Sequence, residues 1–153
     1  MVGICNCSGF DLPQYATKGA AGIDLRYSST RTFGTKETSL TLKPLERHLV
    51  KTGIFLAIPE TLEGQIRPRS GLALKKGLTI LNTPGTIDSD YRGEIGVILV
   101  NLSNEEVEIE DGERIAQIIF SKFEKVQWNE VLLVEQLGET QRGEGGFGHT
   151  GTK

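Results

Sequence analysis

Cations and a hydroxyl crowd one short stretch of the chain. Arg67, Arg69, Ser70, Lys75 and Lys76 surround Gly71 in QIRPRSGLALKKG. A turn that enters a helix presents free backbone N–H groups, and with a hydroxyl and a planar guanidinium beside them it forms an anion site. The two lysines read more simply as a solvated basic face. Asp88 and Asp90 stand two apart in LNTPGTIDSDYRGEIG. On an extended segment they share a face, and paired acids suit the activation of water. In a turn the same aspartates need do no more than accept backbone hydrogen bonds, and spacing leaves both readings open. Asp24 interrupts the apolar pattern of AAGIDLRY, either as a strand-edge acid or as the partner of a cation. Gln117 is a neutral amide in the apolar run that follows the Asp111-Gly112 turn signal of DGERIAQIIF. It must find partners, and phosphate oxygens are one choice among several.

The stretch RGEGGFGHTGTK, Arg142 to Lys153, holds five glycines. Such a segment loses much conformational freedom on ordering and is expected to be floppy in isolation. Its core, GEGGFGHT, reads G-x-x-x-x-G from Gly143 to Gly148, with His149 where a Walker motif has lysine and then Thr150. That motif needs a strand before it and a helix after it, and only three residues follow Thr150. A Walker nucleotide fold is excluded, while a glycine-rich backbone remains able to cradle phosphate oxygens.

Strands must position these groups. SLTLK and EVEIE alternate apolar and polar residues, as half-buried strands do. HLVKTGIFLAIPE and EIGVILVNL are β-branched and apolar on both faces, as buried strands are. LNTPGTIDSDYRGEIG, glycine- and proline-marked between strand patterns, reads as a hairpin. Frequent Pro and Gly leave SGLALKK as the one short helical turn. ERIAQIIFSKFEKVQWNEVLLVEQL fits strand better than helix. The expectation is an all-β sandwich, barrel or jelly roll. Residues 1–137 form its body and residues 138–153 a glycine-rich tail.

At 153 residues the chain is long enough for one domain with a true core. A net charge of −3 argues against a general nucleic-acid or membrane-surface binder, so a bound polyanion must meet a few placed cations. No apolar run approaches the ~20 residues of a membrane span. MVGICNCSGFDLPQ lacks the basic head and apolar stretch of a signal peptide, which predicts an intracellular protein. Cys5 and Cys7 are expected to be ordinary strand thiols, since a bridge between them is strained and nothing completes a zinc site. Trp128 reads as a packing residue, and His48 as structural or surface.

Taken in order, these clusters resemble the trimeric dUTP diphosphatases, or dUTPases, over nearly the whole chain. LPQYATKGAAGIDL is similar to the first family motif, RPRSGLALKKG to the second and LNTPGTIDSDYRGEIGV to the third. GERIAQIIF is similar to the fourth and RGEGGFGHTG to the fifth. The resemblance implies a distorted jelly-roll β fold, a homotrimer with active sites shared between subunits, and a cytoplasmic setting (or a nuclear one in a eukaryote). It also implies hydrolysis of dUTP to dUMP and pyrophosphate with Mg2+ on the triphosphate. That reaction keeps uracil out of DNA and supplies dUMP for thymidylate synthesis.

Carried over motif by motif, the resemblance gives Asp24 the magnesium region through water and gives Arg69, Ser70, Gly71 and Gln117 the phosphates. Asn82 meets the uracil edge with hairpin backbone groups, Ile87 among them. Asp88 activates the attacking water, and Tyr91 packs under the deoxyribose. From the tail, Arg142 grips the terminal phosphate and Phe147 covers uracil, while Gly148, His149 and Thr150 complete the cradle. His149 departs from the serine usual in the family, and its imidazole makes closure of the tail sensitive to pH. Fixing twelve residues costs on the order of 12–24 kcal/mol. Hydrogen bonds to phosphate return ~1.5–3 kcal/mol each, and an aromatic–base stack ~1–3 kcal/mol. The tail is therefore expected to be mobile when empty and a lid over nucleotide. Two rival readings are a dCTP deaminase and a non-catalytic nucleotide-binding sandwich. The deaminase needs a glutamate where GVILVN has Ile98, and isoleucine cannot transfer protons. The sandwich has no need of Asp88, Tyr91 and the tail together.

Overall fold

The computed structural model describes residues 1–29 and 38–146. Its strands, in chain order, are β1 (Gly3–Asn6), β2 (Ile23–Arg26), β3 (Ser39–Leu42), β4 (Arg47–Ala57) and β5 (Leu62–Arg67), then β6 (Leu78–Ile80), β7 (Gly85–Ile87), β8 (Glu94–Asn101), β9 (Val107–Glu110) and β10 (Arg114–Lys122). One helix, α1 (Ser70–Lys76), lies between β5 and β6. Two four-stranded sheets, β1-β4-β8-β6 and β2-β10-β5-β7, and the ladder β3-β9 enclose a common core. Every ladder is antiparallel. The architecture is the expected all-β, jelly-roll-like sandwich with one short helix.

Alternation in the sequence translates directly into faces. Val107 and Ile109 of β9 are buried while Glu108 and Glu110 face out, and Leu40 and Leu42 of β3 pair with them. Ile95, Val97 and Leu99 of β8 and Val50, Ile54 and Leu56 of β4 enter the core. Each fully buried Leu or Ile contributes ~1.5–3 kcal/mol. Of the apolar residues out of phase with these, Val100 is buried but Leu49 and Ile98 lie outside the core. Leu49 is exposed and its register partner Ile98 half-buried, so β4 and β8 are not buried on both faces as expected. Their outer face lines a cavity.

Two further expectations change. The segment after β6 is no hairpin paired with itself. β6 pairs with β8 in one sheet, and between them β7 crosses to pair with β5 in the other. Beyond Lys122 the strand reading also fails. Residues 123–133 form no strand, a 3-10 turn follows at Val134–Leu137, and Trp128 is 92% exposed. Among the described residues this segment pairs with no strand, and Val126, Trp128, Leu132 and Leu133 are exposed. Cys5 and Cys7 are not joined by a disulfide, and their sulfurs lie 3.7 Å apart.

Candidate active site

The first cluster forms where β5 runs into α1. Pro68 has no N–H to continue the ladder, so β5 ends at Arg67, and Gln117 Nε2 donates to the Pro68 carbonyl over 2.9 Å. Gln117 lies on β10 between Asp24 of β2 and Arg67 of β5. Gly22 is glycine for a local reason, since a Cβ there would collide with Gln117 Oε1. Arg69 Nε donates to Asp24 Oδ1 at 2.9 Å and its Nη1 to the Arg114 carbonyl at 3.0 Å. Arg114 Nη1 approaches the other Asp24 oxygen at 3.5 Å. Asp24 thus sits between two guanidinium groups with its carboxylate 30% exposed. Ser70 and Gly71, exposed, start α1, whose Arg69 N-cap makes no side-chain capping bond. A Cβ on Gly71 would meet nothing within 4 Å, so no packing requires glycine at this turn. Lys76 is tied to Glu113 at 2.7 Å, so only Lys75 fits the solvated basic face expected of both.

The second cluster belongs to the excursion through β7. Asn82, Thr86, Ile87, Asp88, Tyr91, Glu94, Leu49, Lys51, Gly96 and Ile98 line a cavity of about 250 Å³. The Tyr91 N–H donates to the Asp88 carbonyl at 3.2 Å, closing a turn over residues 88–91. The turn reading of this stretch is the one observed: Asp88 joins the cavity lining and Asp90 does not. The Tyr91 hydroxyl donates to the Glu94 carbonyl at 3.0 Å and its ring lies over Gly93, where a Cβ would collide with it. Asn82 packs its amide against buried Gly85, 3.2 Å from where a Cβ would sit.

The two clusters remain apart in one chain. None of Asp24, Arg69, Ser70, Gly71 and Gln117 lines the cavity that holds Asp88. Ile87 pairs with Gly64 and Gln117 with Arg67, so three residues of β5 and two strand spacings separate Ile87 from Gln117. That is about 14 Å at ~3.3 Å per residue and ~4.8 Å per strand. Arg142 joins neither group, for its Nε donates to the Gly145 carbonyl at 2.7 Å in a local turn. Phe147, Gly148, His149 and Thr150 lie outside the described residues. Sequence reasoning missed Leu49, Lys51, Thr86 and Glu94 as cavity residues and Arg114 as the second partner of Asp24. The signal for Leu49 was the apolar residue out of phase with the core alternation of β4.

Comparison with known proteins gives the family. The dUTPase family model matches residues 9–151. The deoxyuridine 5'-triphosphate nucleotidohydrolase of Fusobacterium nucleatum is 57% identical over 143 residues, 94% of this chain and 91% of that protein. That of Finegoldia magna is 54% identical over 150 residues, 98% of each. Among solved structures, the Staphylococcus bacteriophage 80alpha dUTPase with dUPNHPP superposes with a TM-score of 0.83 at 26% identity, over 99% of this chain and 98% of that one. Fold and sequence set the chain among the jelly-roll-like nucleotidohydrolases. It belongs to the dUTPase family.

Proposed function

We propose that the chain hydrolyses dUTP to dUMP and pyrophosphate in the cytoplasm, by in-line attack of water on the α-phosphorus with Asp88 accepting the proton. The observation that carries this reading is the turn of residues 88–91. It fixes a carboxylate and a phenol to one cavity whose other walls include Asn82 and Ile87. A carboxylate at the attacking water is the acceptor that the reaction needs. Tyr91 forms the wall under C2′ and excludes a ribose hydroxyl by shape. Asn82 and the backbone around Ile87 meet the uracil edge, where a rigid wall against a C5 methyl is needed because one methyl is worth only ~1–3 kcal/mol in an adaptable pocket.

Negative charge grows on the phosphate oxygens during attack, and Arg69, Ser70, the Gly71 N–H and Gln117 meet it with aimed donors. Residues 138–153 act as a tail beside the β domain of residues 1–137, with Arg142 on the terminal phosphate, Phe147 over uracil, and Gly148, His149 and Thr150 along the phosphates. Asp24 fits a role toward magnesium. Its side chain is 30% exposed beside Arg69 and Arg114, and among the described residues no three His, Cys, Asp or Glu side chains form a metal cage. Mg2+ keeps most of its waters and rides on phosphate oxygens, so one carboxylate reached through water suffices. Bound there, the ion neutralises charge on the triphosphate.

The separation of the two clusters supports a homotrimer in which one subunit supplies the nucleoside half of a site and another the phosphate half. Ile98 is part of the cavity wall, which leaves the deaminase reading without its acid. Among the described residues no helix is long and apolar enough to cross a membrane. Pyrophosphate release from dUTP by the wild type and by Asp88→Asn tests the proposal. Release by the wild type alone is expected, and equal release by both, or none by the wild type, would refute it.

A further inference from the structure

β4 and β8 fall out of register beside the cavity. Lys51 pairs with Gly96 and Phe55 with Glu94, so Thr52, Gly53 and Ile54 together oppose Ile95. A bulge of this kind leaves backbone donors without ladder partners. Side chains fill that gap. The Thr52 hydroxyl donates to the Ile95 carbonyl at 2.6 Å, and the Gly53 N–H donates to Glu94 Oε1 at 2.8 Å. Gly53 has φ +69°, and a Cβ on it would run into the Ser8 backbone. The second carboxylate oxygen of Glu94 meets Lys51 Nζ at 3.5 Å, with the Glu94 side chain 11% exposed.

The backbone of the same glutamate holds the Tyr91 hydroxyl, through its carbonyl at 3.0 Å. Gly93, directly before it, gives the space in which the Tyr91 ring lies. The position of the phenol is therefore set by where β8 begins, and the Glu94 side chain sets that against β4. We propose that Glu94 is a positioning residue for sugar selection, clamping the Gly53 bulge and Lys51 so that Tyr91 stands rigidly against C2′ of the nucleotide. The inference rests on the reading of Tyr91 as the sugar wall. A wall that can move aside admits a hydroxyl, so rigidity matters more here than contact area.

The measurement is kcat/KM for dUTP and for UTP in the wild type, Glu94→Ala and Glu94→Gln, with dUMP and UMP binding by calorimetry. Glu94→Ala frees the bulge and is expected to lower the dUTP:UTP ratio about tenfold, while Glu94→Gln keeps an acceptor for Gly53 and holds the ratio within about twofold. If the alanine variant does not fold, Glu94→Asp takes its place, because a carboxylate one methylene shorter does not reach the Gly53 N–H. An alanine or aspartate variant that loses activity on both nucleotides equally, beside a wild type that discriminates, overturns the clamp. A wild type that binds dUMP and UMP alike overturns the sugar-wall reading itself and the clamp with it.

Discussion

Asp88 and Asn101 show how differently polar residues of one chain are used. Asn101 is fully buried, and its amide is spent on the fold: Nδ2 donates to the Leu42 and Glu105 carbonyls, and Oδ1 accepts from the Ser103 N–H and hydroxyl. Asn101→Leu orphans those groups and should lower stability by about 1–3 kcal/mol, read from the urea midpoint, with the dUTP specificity ratios unchanged. Asp88 is exposed, and its carboxylate is offered to the cavity. Asp88→Asn should leave the fold and KM nearly intact and reduce kcat by about 10²–10⁴-fold in a pyrophosphate-release assay. The sequence distinguished these two only in part. Asp88 stood out because acids in a turn-rich stretch raise the question of water activation. Asn101 passed unnoticed at the end of GVILVN, because nothing local reveals that two carbonyls, an N–H and a hydroxyl converge on it.

Among the elements, those defined by periodicity were legible and those defined by distant pairing were not. The β3 and β9 alternation, the α1 turn and the Asp111-Gly112 reversal follow from neighbours in sequence. The crossing of β7 from one sheet to the other follows from pairing with β5, some twenty residues away, and local glycine and proline signals mimic a hairpin there. The end of β10 at Lys122 was hidden for a related reason, since β-branched residues continue past the point where partner strands stop. Gly77 marks the exit of α1 at φ +64°, with the Ser103 backbone nitrogen 2.9 Å from where a Cβ would sit. Gly77→Ala meets both the steric wall and the left-handed backbone. A loss of about 1–3 kcal/mol is expected, visible as a lowered thermal midpoint, and an unchanged midpoint would contradict this account. Removal of residues 142–153 is the element-scale test of the tail. The β domain should keep its circular dichroism spectrum while activity on dUTP falls to a small residue. Full activity without those residues would show that Arg142 and its neighbours are not needed.

The whole molecule brings these separations together. Leu74, Trp128, Leu132, Leu133 and Leu137 expose large apolar side chains in the single chain. Exposed apolar side chains of this size are what a subunit interface would cover. The site points the same way. Asp88 opens on one cavity while Arg69 is drawn toward Asp24 on the far side of β10 from β5. If each site takes its nucleoside half from one subunit and its phosphate half from another, two inactive variants can complement each other. Asp88→Asn lacks the first half and Arg69→Ala the second. Random mixing then unites an intact Asp88 with an intact Arg69 across an interface in about a quarter of the sites. Co-expression of the two variants, purified as mixed oligomers, should restore up to about that fraction of wild-type kcat, while each variant alone stays near background. A site closed within one subunit gives no recovery at any mixing ratio, because no single chain then carries both groups.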